Sequence, residues 1–294
     1  MRTLDGNSFS TRTSLEARIP PHAFFVSSAI FHYLGPAFAV LLFARVAPLG
    51  VAWLRIASAA LIFGVWQRPW RYFLRQDLAT QRVIVGLGVV LALMNTCFYL
   101  AIDRLPLATV GAIEFLGPLG LAMIGLRTFR NAGAFALAVA GVALLTHARI
   151  VQDPLGFLFA FANCALFTLY IMLGHRAARD GGGEGIDRLG AAMLVAVVVV
   201  TPIGLGDATT AFAHPALLAA GIGVGVSSSV IPYICDQLAM ARLQRATFAL
   251  FLALLPAMAV LIGLVVLRQM PKALEWLGIA LVIVGIAVHR EVLD

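Results

Sequence analysis

Charge is what this sequence has least of. Only 12% of its 294 residues are Asp, Glu, Lys or Arg, where a soluble domain carries about a quarter. With 61% apolar residues as well, the chain has neither the surface of a soluble globular enzyme nor the composition of a disordered one. Cysteine is nearly as scarce. Cys97, Cys164 and Cys235 all fall inside apolar stretches, which excludes a disulfide scaffold and reads them as small packing residues. No Cys/His spacing fits a zinc site, so neither metal nor cofactor is implied. The GxGxG-like run at Gly221, Gly223 and Gly225 sits within an apolar segment, where close helix packing explains it better than a dinucleotide. Gly181-Gly182-Gly183 has no P-loop lysine after it and reads as a flexible linker.

What the sequence has in quantity is long apolar runs, and its mean hydropathy is +0.96. They read as helices at 22–43, 50–66, 83–102, 107–126, 131–147, 155–174, 189–206, 215–237, 246–267 and 274–289. A membrane-crossing helix takes about 20 apolar residues, so ten take roughly 200 and leave only a tail and tight loops. The first run is too long for a signal-peptide core and lacks a small-residue cleavage site after it, so it is expected to stay in the mature protein. The expected fold is an all-α membrane protein of ten transmembrane helices.

The net charge of +7 would suit a nucleic-acid partner if the charges were gathered on one surface. They are instead distributed by side. In a ten-span reading, fifteen basic residues fall on the side of the two termini and five on the other, with Arg55 inside a helix. The positive-inside rule then puts both termini in the cytoplasm. The charge is a topology signal, and no nucleic-acid partner follows from it. Trp66 and Trp70 flank the end of span 2, as an aromatic belt requires. The arginines from Arg68 to Arg82 can touch anionic lipid, although topology already accounts for them.

The chain repeats itself at an offset of 138 residues. Residues 101–126 and 239–264 share ten of 26 positions, among them Arg104/Arg242, Thr109/Thr247, Pro118/Pro256 and Gly125/Gly263. Apolar bias explains a Leu match but not these. The domains are therefore expected as a cytoplasmic tail at 1–21 and two five-helix repeats at 22–147 and 148–294. Five is odd, so the second repeat would enter the membrane from the opposite side, a construction of many secondary transporters.

Ionisable groups at membrane depth are costly, and each needs a reason. Glu114 lies mid-helix in span 4 and Arg55 within span 2. In a functional reading Glu114 binds a substrate amine or a coupling proton, and Arg55 binds a carboxylate or tunes Glu114. The alternative is a buried ion pair that only holds the two spans together. Pro118 lies one turn after Glu114, Pro256 is its repeat partner, and Gly35-Pro36 is expected to interrupt span 1 in the same way. Beside it His32 is either a neutral hydrogen-bonding group or a proton carrier. Asn95 and Tyr99 share one face of span 3, and the offset maps them onto Tyr233 and Gln237 of span 8. These four should face the interior, to bind substrate or to bridge helices. Asp236 is a candidate gate or an interfacial charge.

These motifs resemble the drug/metabolite transporter superfamily, in its EamA branch of ten-span carriers, and within it the threonine/homoserine exporters of the bacterial inner membrane. The resemblance covers nearly the whole chain after the first twenty residues. It is carried by LRIASAALIFGVWQRPWR (54–71), MNTCFYLAIDRLPLATVGAIEFLGPLGLAM (94–123), GHRA (174–177) and IPYICDQLAMARLQRATFALFLALLPAMAVLIG (231–263). It implies export of small amino acids by alternating access, driven by the proton gradient, with Arg55, Asn95, Tyr99, Glu114 and Tyr233 around the pathway. The chain departs from the family's pattern in three places: Leu255 stands where a Glu often precedes the span 9 proline, Arg268-Gln269 where a Gly-Glu pair often follows, and Asp236 where span 8 carries Glu. On this reading Glu114 is the only acidic group left deep in the bundle. The rivals are a broad-range carrier for drugs or toxic metabolites, an intramembrane enzyme, for which no acidic metal motif is present, and a non-transporting scaffold. Substrate identity, coupling ion, transport direction and monomer or homodimer state stay open.

Overall fold

A computed structural model of the chain describes residues 20–125, 128–147, 153–178, 185–240 and 254–288. Its described residues are mostly helical, with no strand among them. The first half runs α1 (Pro21–Leu42), α2 (Pro48–Gln67), the short α3 (Pro69–Arg75), α4 (Leu78–Arg104), α5 (Leu107–Glu114), α6 (Leu116–Gly125) and α7 (Phe129–His147). The second runs α8 (Pro154–Ala178), α9 (Gly185–Phe212), α10 (Pro215–Gly225), a π-helical segment (Val226–Val230), α11 (Ile231–Met240), α12 (Leu254–Val265) and α13 (Ala273–Val288). Six helical stretches are long and apolar enough to cross a membrane, and four more are apolar but shorter.

Local chemistry sets the boundaries. Proline opens α1, α2, α3 and α10, where its missing N–H would have no partner anyway. Arg68, at φ 51°, is the left-handed residue that turns the chain between α2 and α3. The Asp77 carboxylate caps α4 by accepting the Thr80 N–H at 3.1 Å. The Thr80 side chain, and then that backbone bond, hold the Asp77 carboxyl below its usual range. Two elements differ from the sequence expectation. The loop between spans 2 and 3 folds into α3. Helix α9 extends several residues beyond the apolar run at each end, because Asp187 and Arg188 lower hydropathy without breaking a helix. The span 4 helix is interrupted as expected, for a reason given below.

The most extensive packing pairs α7 with α13, α2 with α9, α4 with α8 and α4 with α9, followed by α1 with α11. Small residues let these backbones approach. A Cβ on Gly225 would meet the side chain of Ser58 and lie 2.8 Å from the Arg55 carbonyl, while one on Gly223 would meet nothing within 4 Å. Gly221 and Gly225, four apart, thus form the α2-facing stripe of a small-xxx-small contact. Two apolar clusters fill the interior, one around Tyr33, Tyr99 and Ile113, the other around Ile56, Phe63 and Met193. Large apolar side chains such as Leu61, Val65 and Val198 are exposed, at 67%, 75% and 71%. Such a surface suits hydrocarbon and not water.

Candidate functional site

Two prolines open the backbone inside the bundle. A proline at position i cannot donate to the carbonyl at i−4. Pro118 leaves the Glu114 carbonyl without its donor, and the helix breaks there: α5 ends at Glu114, Phe115 is a turn, and α6 starts at Leu116. Pro232 does the same to Ser228, and there the helix widens instead. The Ile231 N–H bonds to the carbonyl of Val226, five residues back. The freed Ser228 carbonyl accepts from a terminal nitrogen of Arg55 at 2.9 Å. Arg55 Nε donates to Ser229 Oγ at 2.9 Å, and the guanidinium lies 5.5 Å from the Tyr99 ring centroid. One buried cation on α2 therefore ties itself to the opened turn between α10 and α11.

Glu114, 4% exposed, accepts through Oε1 from Asn163 Nδ2 of α8 at 3.1 Å. The Glu114 Oε2 and Asn163 Oδ1 atoms are buried with no hydrogen-bond partner, and so are the hydroxyls of Tyr33, Tyr99 and Ser228. The Tyr33 hydroxyl packs on Gly111, one turn before Glu114. Among the described residues, five of the six buried side-chain atoms left unpartnered belong to this group, and the sixth is Arg188 Nε. Each orphan costs on the order of 1–3 kcal/mol, so five in one cluster mark a place that something else completes.

Arg55 and Glu114 form no ion pair with each other, although the Arg55 charge acts on Glu114 across the site. The guanidinium goes to Ser228 and Ser229, and the carboxylate to Asn163. Asn95 and Tyr99 are both buried, but the Asn95 amide donates to Leu91 of its own helix at 2.8 Å. His32 is half-buried, its ring set edge-on to Tyr33 at 5.2 Å between centroids. Tyr233 is half-buried and packs against the second apolar cluster. For Asp236 and Gln237 only the helical backbone of α11 lies within the described residues. Contrary to the sequence expectation, α1 continues through Pro36 unbroken. Gly35 beside it lets the π segment close in: a Cβ there would lie 2.7 Å from the Ser228 nitrogen. Pro256 is buried near the start of α12, and residues 251–253 before it lie outside the described residues.

Glu114 is not the only buried carboxylate. Glu275 is 5% exposed, but it sits in the first turn of α13, where its Oε2 accepts the Lys272 N–H at 2.9 Å as a helix cap. It borders a cavity of about 150 Å³, lined also by Pro106, Thr109 and Gln269, at the end of α5 away from Glu114. Gln269 anchors that end by accepting the Leu107 N–H at 3.1 Å.

Sequence reasoning passed over Asn163, Ser228, Ser229, Tyr33 and Pro232. Asn163 was visible as an amide in the apolar run FAFANCALF, and Pro232 as a proline three residues after a triple serine.

The model of the EamA-like transporter family matches residues 154–289. Threonine/homoserine exporter RhtA of Escherichia coli (strain K12) is 31% identical over 252 residues, which are 85% of this chain and 84% of that one. The chain belongs to the EamA branch of the drug/metabolite transporter superfamily. The exporter of the same name from Salmonella typhimurium (strain LT2) matches at the same 31% over the same 85% and 84%. A crystal structure with 20% identity shares the fold at a TM-score of 0.59, over 91% of this chain and 96% of that chain. Membership makes this EamA protein a multi-pass membrane transporter of a small molecule. The polar cluster lies inside its helical bundle, where a transporter needs its binding site.

Proposed function

We propose that this EamA transporter exports small amino acids of the threonine/homoserine class across the bacterial inner membrane in exchange for protons. The unpartnered atoms carry the reading. Around Glu114, beside the Tyr33 hydroxyl, two orphans can only accept: Glu114 Oε2 and Asn163 Oδ1. A substrate ammonium brings the missing N–H donors. Around Arg55 stand a guanidinium and the hydroxyls of Tyr99 and Ser228, which suit a carboxylate. The similarity to exporters named for threonine and homoserine supports the same class.

A proton on Glu114 Oε2 occupies the same oxygen that the ammonium needs. The two exclude each other, and that exclusion is what an exchanger requires. Each ligand moves the carrier only through its different affinity for the two facing states.

Ten spans in two inverted five-helix repeats, at 22–147 and 148–294, with both termini cytoplasmic, complete the reading. The packing supports it. Counted as spans, α2–α9 is 2 with 7, α7–α13 is 5 with 10, and α4–α8 with α11–α1 is 3 with 6 and 8 with 1. Exchanging the halves maps 2–7 and 5–10 onto themselves and 3–6 onto 8–1, as a pseudo-two-fold axis between the repeats demands.

Radiolabelled threonine and homoserine, tested beside cationic dyes in the same proteoliposomes under a pH gradient, decide the matter. Amino-acid movement coupled to proton counterflow, with the dyes left behind, is the expected result. Dye transport without amino-acid transport would make this a broad-range efflux carrier instead.

A further inference from the structure

One orphan lies apart from the transport site. Arg188, in the first turn of α9, is 7% exposed, and its Nε–H has no acceptor. A terminal nitrogen reaches the Tyr72 hydroxyl of α3 at a long 3.4 Å. Among the described residues no carboxylate is within ion-pair reach of it. A buried guanidinium without an anion is costly, and a neutral hydroxyl offers only one weak contact.

Its surroundings identify the anion. Helix α3 packs on α9, with Pro69 against Gly190. Arg71 and Arg75 stand four residues apart on α3 and are exposed, as is Arg68 before it. Trp66, Trp70 and Leu74 are exposed too, on the same short stretch. Exposed Trp beside exposed Arg is the signature of the boundary between hydrocarbon and headgroups. A soluble anion has no use for the apolar rim, whereas a phospholipid fills both parts of the site.

We propose that α3 and the start of α9 form a headgroup site for an anionic phospholipid. The Arg188 guanidinium takes two phosphate oxygens through its fork. Arg71 and Arg75 add a positive field at the rim, and the acyl chains lie along Trp66, Trp70 and Leu74. The inference needs the membrane setting but not the identity of the transported substrate.

The test uses the full chain in mild detergent. Bound lipids are counted by native mass spectrometry, and thermal unfolding is followed as phosphatidylglycerol or phosphatidylcholine is added to the delipidated protein. Wild type is expected to retain and be stabilised by phosphatidylglycerol but not phosphatidylcholine. Arg188→Gln should bind phosphatidylglycerol about 10–100-fold more weakly, the worth of a charged hydrogen-bond pair, and Arg188→Lys should fall between. If Arg188→Gln does not fold, the rim variant Arg71→Gln/Arg75→Gln should still weaken phosphatidylglycerol binding severalfold while keeping its fold. Unchanged phosphatidylglycerol binding in either folded variant overturns the proposal. So does equal stabilisation by phosphatidylcholine, or by inorganic phosphate alone.

Discussion

The bond between Arg55 and the Ser228 carbonyl exists because Pro232 cannot make it. That dependence gives a prediction whose sign changes with background. Arg55→Ala removes two buried charge-assisted hydrogen bonds, to Ser228 O and Ser229 Oγ, each worth about 1.5–3 kcal/mol. It also relieves the cost of burying a guanidinium, which offsets part of the loss. A net destabilisation of roughly 2–4 kcal/mol follows. About 1–3 kcal/mol of it is the Ser228 carbonyl, left with no donor because position 232 has no N–H.

Pro232→Ala supplies that N–H. In the wild type it should be neutral or cost about 0.4–1 kcal/mol, since the carbonyl is already satisfied and a rigid residue is lost. In the Arg55→Ala background it should instead restore about 1–2 kcal/mol by letting the π turn close into a regular helix. Reversible unfolding in mixed detergent micelles, followed by far-UV circular dichroism over the four corners of the cycle, measures the difference. If Pro232→Ala shifts both backgrounds equally, to within about 0.5 kcal/mol, the carbonyl was never orphaned and the argument fails.

Other substitutions test the rest of the structure. Asn163→Leu takes the donor from Glu114 and should weaken substrate binding about 10–100-fold while leaving the protein folded; transport titrations read the change. Gly225→Ala should cost about 1–3 kcal/mol by forcing α2 and α10 apart, whereas Gly223→Ala, with open space at its Cβ, should be neutral or stabilising in the same unfolding assay. Asp77 is an exposed cap whose carboxyl titrates below its ordinary range, so its contribution is full at neutral pH. That contribution is lost only as pH falls through the depressed folded value. The protection of the Thr80 amide against exchange, relative to its intrinsic rate at each pH, should therefore fall in acid in the wild type but not in Asp77→Asn, which caps without titrating.

Much of the helical framework was legible in the sequence, because apolar runs and proline starts are local signals. The carbonyl freed at Glu114 was legible for the same reason: Pro118 stands four residues away and has no N–H to give it. Pro36 shows the limit of that rule. The same chemistry leaves α1 unbroken, with other helices packed along it, and only the structure tells the two outcomes apart. The partner of Arg55 was not legible at all. Its bonds cross 173 and 174 residues of chain to a turn whose π geometry no propensity encodes. Asn163 was overlooked because a lone amide in an apolar run has no periodic pattern, and its meaning comes only from standing beside Glu114. Arg188 looks like a loop charge in the polar stretch HRAARDGGGEGIDR, since charge counting cannot distinguish a solvated arginine from one buried under a short helix.

The central claim is that Glu114 holds the proton and the substrate ammonium in turn. Glu114→Gln keeps the shape and an acceptor for Asn163, and offers its own amide N–H to Asn163 Oδ1, so the fold should survive. It can neither take a proton nor pair with an ammonium. Homoserine movement in proteoliposomes under an imposed pH gradient is the direct measurement. The account predicts a fall of about 100-fold in Glu114→Gln, equivalent to roughly 3 kcal/mol of lost charged hydrogen bonding, with unfolding behaviour unchanged. Export at the wild-type rate, still driven by the gradient, would contradict it.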